Sequence, residues 1–585
     1  VLDVTPKNLY LEIEAAETLR DSYLESFDEI VDRFTGEAYQ EGHGLSIPEN
    51  HVYEYLSLTI PKLIYDNPRV HVTTRRPVTQ RGVAEAMEHG INRWIRDTRV
   101  RDVLERVAYD MLVCYGVVLT SEAPQPGYAP GDTNAPHWPM CYRIPPNRFF
   151  MDPIAGDISE ARFAGHKWIR DKDDLLSDAE DDETWNKEVI KNLSENTGLD
   201  EVGRKTKDYP DRHEIVGYEV WVPEIGMPNF DDDESGFNGT IYTIGVSAPD
   251  ENGKKKSDFI REPRNFYGPK YGPYNVFGVY TVPDRPYPLS PIVATLGQMD
   301  DLNAHVQSAT SSAARYKRLV FVDARNKKLV QDIKSQPDNF VVPVEGLSGD
   351  SIVPAEFGGI TRQQIDYINM ARDRLDRNSG MHDAQRGVLT GDATATEVQV
   401  AESAGSLRFA YIRRRFHESV RRTIDNVGWY MYHDNRVVFP LGMDAAKALG
   451  MGEPYFVGGI PEQITGAMYA DVELEIDTYS MERANEALLQ RRAMEAYQMI
   501  MQSAQLMAGT PYVDWSGLLS KLGDAMNIPE LGELISEEQL QEMVRQAQEQ
   551  QRAEQGLKQA QADSARAQAQ GQNDAGLSLQ NRRGA

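Results

Sequence analysis

Apolar positions recur at helical spacing in several long stretches of this chain. In residues 5–33, Leu9, Ile13, Ala16, Leu19, Tyr23, Phe27 and Ile30 fall on one face, which predicts an amphipathic helix. Residues 81–114 repeat the pattern, with Ile91, Trp94, Ile95, Leu104, Val107 and Met111 on the packing side. Arg93, Arg96, Arg99, Arg101 and Arg106 fall between them, so a single helix with one wet face is expected. From 124 to 288 the texture changes to Pro, Gly and aromatic residues. Short strand-like runs at 219–222, 240–246 and 275–282 predict a β-rich region with long loops.

Helical period returns at 290–317, where Ser290 suits an N-cap and Pro291 the first helical position. Ile292, Leu296, Met299, Leu302, Val306, Ala309 and Ala313 carry the stripe, and at 1.5 Å per residue the helix would reach about 40 Å. Residues 319–359 lose the period and hold two strand-like runs, 319–322 and 340–344, which predicts a small β or α/β insert. A second helix is expected over 361–377, with Ile365, Ile368 and Leu375 on one side and Asn378, Ser379 and Gly380 as its stop.

A polar, glycine-punctuated loop follows at 379–393. Thr394 and Glu397 then have the form of a capping box opening a very long helix to about 433, packed through Phe409, Phe416, Val420, Ile424, Val427 and Met431. An alternating strand at 471–477, a helix at 480–506 and a Gln- and Ala-rich tail from 535 complete the pattern. The fold class expected is α+β, mainly helical.

Composition narrows the function classes. At 585 residues the chain exceeds one hydrophobic core, so several domains are expected. The longest apolar run, 111–119, is about half of what a bilayer crossing needs. Glu12, Glu14, Glu17 and Asp21 stand where a secretory signal would be basic and then apolar, so a cytoplasmic protein is expected. Cys114 and Cys141 are too few for a disulfide framework and read as buried small hydrophobes.

A net charge of −28 argues against a surface that grips nucleic acid tightly, because such binding depends on Lys and Arg contacts to phosphate. The acidic run 171–183, like 231–234, reads as a solvated loop. No P-loop, dinucleotide-binding glycine fingerprint or nucleophile elbow is present, which argues against an enzyme. Beside Asp300, Asp301 and His305 share a helix face, but one carboxylate and one histidine are too few for a metal site, and neither cofactor nor metal is expected.

The order helix, insert, helix, loop, long capped helix resembles that of tailed-bacteriophage portal proteins. The stretch from Arg377-Asn378-Ser379-Gly380-Met381 through Gly387-Val388-Leu389-Thr390-Gly391-Asp392-Ala393-Thr394-Ala395-Thr396-Glu397-Val398 is similar to the tunnel-loop region of portals from short-tailed phages. The resemblance covers mainly residues 283–432. It implies a portal fold with wing (1–288), stem helices (289–318 and 361–378), clip (319–360), tunnel loop (379–393), long wing helix with return strands (394–479), crown (480–540) and a tail (541–585).

It also implies a function: a homo-oligomeric ring, usually of twelve copies, at the capsid vertex of the virion, assembled in the host cytoplasm. Double-stranded DNA would pass through its channel during packaging, retention and ejection. The large terminase and head-tail adaptors would dock at the clip, and major capsid and scaffolding proteins at the wing, with no membrane partner. Another phage structural protein, a minor capsid or internal head protein, and a metal-dependent nucleic-acid enzyme are the alternatives.

Within that frame His382, Gln385 and Arg386 of the loop are the first choice for transient phosphate contacts. Arg362, Arg372, Arg374 and Arg377 are candidates for the channel face, interleaved with Asp366, Asp373 and Asp376 so that the surface stays near neutral. Arg413, Arg414, Arg415, Arg421 and Arg422 on the long helix could form a DNA patch, but adjacent arginines point around a helix, and the favoured reading is that some of them pair with acidic groups of the next subunit. No residue is assigned a catalytic role.

Overall fold

The computed structural model describes residues 2–39, 49–75, 77–125, 136–194, 196–197, 213–223, 237–248, 255–314, 317–322, 352–357, 359–380, 395–440, 455–457, 469–477 and 480–481. The chain divides into two compact units, Val1–Glu482 and Arg483–Ala585, and the second lies outside the described residues. Mixed helices and sheets bear out the α+β class.

The first unit opens with α1 (Pro6–Thr35), which starts on a proline and ends at Gly36 in the left-handed conformation, φ 84°. A helix not foreseen, α2 (His51–Leu63), begins at Asn50, whose Oδ1 accepts from the Tyr53 amide at 2.9 Å. After β1 (Val70–Thr74), the single helix expected over 81–114 is two, α3 (Pro77–Asp97) and α4 (Val100–Val113). The chain turns at Arg99, φ 52°, where the Thr98 hydroxyl donates back to the Trp94 carbonyl at 2.8 Å. Trp94 and Ile95 before the break and Leu104, Val107 and Met111 after it enter one core, so the apolar period runs through without a visible fault.

The β-rich region is as expected. β2 (Gly116–Pro124) pairs with β3 (His137–Ile144). β4 (Phe149–Met151) and β5 (Ala164–Asp171) lead to α5 (Lys172–Asp181) and α6 (Lys187–Asn192). The acidic run is therefore a helix over most of its length and not a loop. Asp171 caps it by accepting from the Asp173 amide at 2.9 Å, and carboxylates in the first turn suit the positive end of the helix dipole.

The short β6 (Asn196–Thr197) precedes β7 (His213–Val222), β8 (Phe237–Val246) and β9 (Ser257–Tyr267). These form an antiparallel sheet in the order β4-β5-β7-β8-β9, with β6 paired to β7. Its two faces follow the strand period. Tyr218 and Val220 pack with Leu9 and Ile13 of α1, while Ile215 and Ile260 pack with Leu175 and Ile190 of α5 and α6. Gly217 is needed on the second face, because a Cβ there would lie 2.1 Å from the Trp168 ring. β10 (Tyr274–Phe277) adds to the other edge of β2, and both cysteines are buried and free.

The helix expected from Ser290 begins later, as α7 (Val293–Ala314). Ser290 accepts from the Ile292 amide at 3.0 Å and donates to the Leu112 carbonyl at 2.7 Å, so it holds a turn ahead of the helix and ties it to α4. β11 (Lys317–Val322) then pairs antiparallel with β12 (Ile352–Phe357); the strand expected at 340–344 lies outside the described residues. The next helix, α8 (Arg362–Ser379), has a full capping box from Thr361 and Gln364 and stops at left-handed Gly380. α7 and α8 run antiparallel: the Gly359 amide donates to the Ser312 carbonyl at 2.9 Å, and farther along Tyr367 meets Asp301.

α9 (Ala395–His433), at 39 residues, is the longest described element. Ile412, Phe416, Val420, Ile424, Val427 and Met431 bury its face in the same core as α3, α4 and α7. β13 (Val438–Pro440) pairs with β14 (Tyr455–Val457), and the expected β15 (Val472–Ile476) pairs with β1. On its other edge β1 meets side chains of α3. Asn92 exchanges two hydrogen bonds with Val70, at 2.9 and 2.8 Å, and Glu88 accepts from the Val72 amide at 3.0 Å. Thr394, the Glu397 side chain, the helix expected at 480–506 and the tail lie outside the described residues.

Candidate functional site

The residues nominated from the sequence fall on α8, within 381–394 and on α9. His382, Gln385 and Arg386 lie outside the described residues. On α8 the four arginines are all exposed but differ in their partners. Arg372 pairs with Glu49, just ahead of α2. The Arg377 Nε donates to the Asp373 carbonyl one turn back at 3.3 Å. Arg362 and Arg374 make no hydrogen bond or ion pair among the described residues.

A set of ties that the sequence did not announce holds the α7/α8 pair to the body. Arg33, 8% exposed at the end of α1, reaches Asp300 at 2.9 Å and also pairs with Glu29. The Glu49 amide donates to Asn303 Oδ1 at 3.1 Å. Asp301 accepts from the Tyr367 hydroxyl at 3.0 Å and lies 3.4 Å from His305 Nε2, while the His305 ring lies 4.2 Å from that of Tyr367. The accepted hydrogen bond raises the Tyr367 hydroxyl pKa. The Asp-Asp-His trio is thus spent on helix contacts, and among the described residues no group of three or more metal-binding side chains occurs.

Arg408, near the start of the described side chains of α9, donates to the carbonyls of Arg377, at 3.0 Å, and Asn378. A cation on the free carbonyls at the end of α8 satisfies acceptors that the helix leaves open and opposes its dipole. It also ties the C-terminal end of α8 to α9 at Arg408.

Farther along α9 the arginines divide. Arg414 and Arg415 both pair with Glu418, at 2.9 and 3.4 Å, so their partner lies on their own helix. Arg421 and Arg422 are exposed and make no ion pair among the described residues, whereas Arg413 is half-buried and engaged. Between them His417 is buried, and burial together with Arg413 pushes its imidazole down to about 4, so it adds no charge near neutrality.

A separate open cleft of about 780 Å³ lies on the face of the large sheet beside α5, lined by Trp168, Trp185, His166 and several charged groups. The charges answer one another: Arg170 meets Asp178 at 2.7 Å, and Arg261 meets Asp182 at 2.6 Å while stacking on the Trp185 ring. Burial keeps His166 neutral, with Nδ1 2.8 Å from the Tyr274 hydroxyl. No helix among the described residues is long and apolar enough to cross a membrane. In comparisons with known proteins, no family model and no curated protein matches this chain.

Proposed function

We propose that this chain is the portal protein of a tailed bacteriophage, a non-enzymatic subunit of a ring through which double-stranded DNA enters and leaves the capsid. The observation that carries the reading is the antiparallel pair α7/α8, joined through β11 and β12 and followed after residues 381–394 by the 39-residue α9. In this reading α7 and α8 are the stem, β11 and β12 belong to the clip, and residues 381–394 belong to the tunnel loop. The N-terminal helices, the large sheet and α9 build the wing, with the crown and tail beyond residue 480.

A conduit must orient DNA without holding it, since each phosphate contact adds affinity and slows passage. With Arg372 engaged by Glu49 and Arg377 by backbone, Arg362 and Arg374 are the α8 cations left to meet DNA, and Arg386 is the first choice in the loop. Arg421 and Arg422 are the groups left to meet a neighbouring subunit. Terminase and adaptors would use the clip, and capsid and scaffolding proteins the wing.

Electron microscopy of the purified chain tests the reading: a uniform ring with an axial hole is expected. Monomers or dimers under all assembly conditions would overturn it in favour of another phage structural protein, and magnesium- or manganese-dependent cleavage of DNA would favour a nucleic-acid enzyme.

A further inference from the structure

Where α9 ends, ionisable side chains from separate elements converge on two carboxyl groups. The Asp434 side chain is 2% exposed and that of Glu122, on β2, is 14% exposed. The two carboxyl groups meet on one guanidinium. Arg436 reaches both, with Nη2 at 2.8 Å from Glu122 and 2.9 Å from Asp434. His137, the first residue of β3, points Nδ1 at the same Glu122 carboxyl. The backbone closes the junction as well: the His137 amide donates to the Arg436 carbonyl at 3.0 Å, and the Arg436 amide donates to Asp434 Oδ1 at 2.8 Å.

Two carboxyl groups buried together on one guanidinium repel each other when both are ionised, which favours a proton on one of the pair. One guanidinium balances one negative charge, so the protonated pair with Arg436 is neutral and the fully ionised pair leaves a buried excess charge. Burial, and then Asp434 beside it, raise the Glu122 carboxyl to about 8. Burial works against Asp434 too, but hydrogen bonds from Glu122 and Arg436 outweigh it and hold that carboxyl below its usual range. The proton therefore sits on Glu122.

We propose that Glu122 and Asp434 form a proton-sharing latch that fastens the C-terminal end of α9 to β2 and β3 and loosens when the shared proton leaves. The step is a simple ionisation: the Glu122 carboxyl releases its proton to solvent, two carboxylates are left facing one guanidinium, and the cluster passes from neutral to one negative charge. Among the described residues, the other groups facing the pair are Arg436 from the turn after α9, His137 from β3, Tyr430 from α9 and Tyr267 from β9. Arg436 is held cationic, first by its hydrogen bond to Asp434, and burial with Arg436 keeps His137 neutral. Burial lifts the Tyr267 hydroxyl to about 12 and that of Tyr430 higher still. Glu122 is thus the member whose charge changes as the solution turns from neutral to mildly alkaline.

The sign follows from the raised acid. Between the unfolded value of 4.5 and the folded value near 8 the native chain keeps a proton that the unfolded chain has lost, so stability falls as pH rises through that window and levels off above it. The junction lies where the longest helix meets the β-rich region, so the latch sets how firmly α9 is held there. It stands independently of the portal reading.

The test uses the full chain, with hydrogen exchange corrected for its intrinsic pH dependence and denaturant unfolding across neutral and alkaline pH. In the wild type, exchange in peptides spanning 117–124, 137–144 and 430–438 is expected to rise with pH, and the unfolding constant to grow by up to about tenfold per pH unit below the Glu122 value. Glu122→Gln keeps a donor toward Asp434 and has no proton to lose, so its response is expected to be flat. An undiminished pH response in this variant would overturn the proposal. Should the variant fail to fold, infrared difference spectra of the wild type decide: loss of a protonated-carboxyl band on passing from neutral to alkaline pH supports the latch, and its absence sinks it.

Discussion

Asp110 illustrates what a single residue can and cannot announce. It sits on the apolar side of α4 with no exposed surface, and the Arg143 guanidinium from β3 meets it, Nη2 to Oδ1 at 2.8 Å. Burial raises its carboxyl to about 6, although Arg143 pulls the other way. Because the folded value lies above the unfolded one, the pair's contribution weakens as pH climbs from about 4 to 6. Arg143→Ala strands a buried carboxylate and is predicted to cost about 3 kcal/mol at neutral pH, the low end for buried pairs because Arg143 keeps some contact with water. Urea unfolding checks this, and the loss should shrink on acidification as Asp110 takes up a proton. A carboxylate among Val107, Ala108 and Met111 signals from sequence that a cation must come, but not which one. Arg414 and Glu418, four residues apart on a helix, are legible as a pair; Arg372 and Glu49 are not, because only the fold brings them together.

Among the elements, those with an uninterrupted period and a terminal signal were read correctly. α1 and α8 show this, each closed by a glycine whose left-handed backbone ends the helix. The break at Arg99 escaped because both halves keep their apolar residues in phase within one core. The acidic segment escaped because charge counted for more than capping, although Asp171 supplied the cap. α2 carries Pro61 in its interior, which masks a helical pattern. The ties between elements were the least visible part. Arg33 links α1 to α7 through Asp300, and Arg33→Ala is expected to cost about 1 kcal/mol, since Asp300 is half exposed and solvent screens the pair. Faster deuterium uptake in Val293–Ala314, with the large sheet unchanged, would be its signature.

At the scale of the whole molecule, an excess of 28 negative charges makes association of copies depend on local cations that offset repulsion. Arg421 and Arg422 are exposed and take no part in ion pairs among the described residues, so replacing both with Ala is expected to leave thermal unfolding within about 0.5 kcal/mol of the wild type. On the proposed portal reading, the same change is expected to shift sedimentation from rings toward monomers; rings of unchanged stability would remove these residues from the proposed subunit interface. The order of helix, insert, helix and long helix was legible in the sequence, whereas the second strand of the insert, Ile352–Phe357, was not. Which α8 cations remain unclaimed was not legible either, because the contact of Arg372 with Glu49 closes only in space. The side chains of Asn92 and Glu88 along β1 bear on crowding. A two-stranded ribbon with a bare flank is a template for runaway addition of foreign strands wherever many copies gather, and here α3 occupies the hydrogen-bonding positions at Val70 and Val72. Copies can therefore collect at high local concentration without the β1 edge of that ribbon offering itself to a foreign strand.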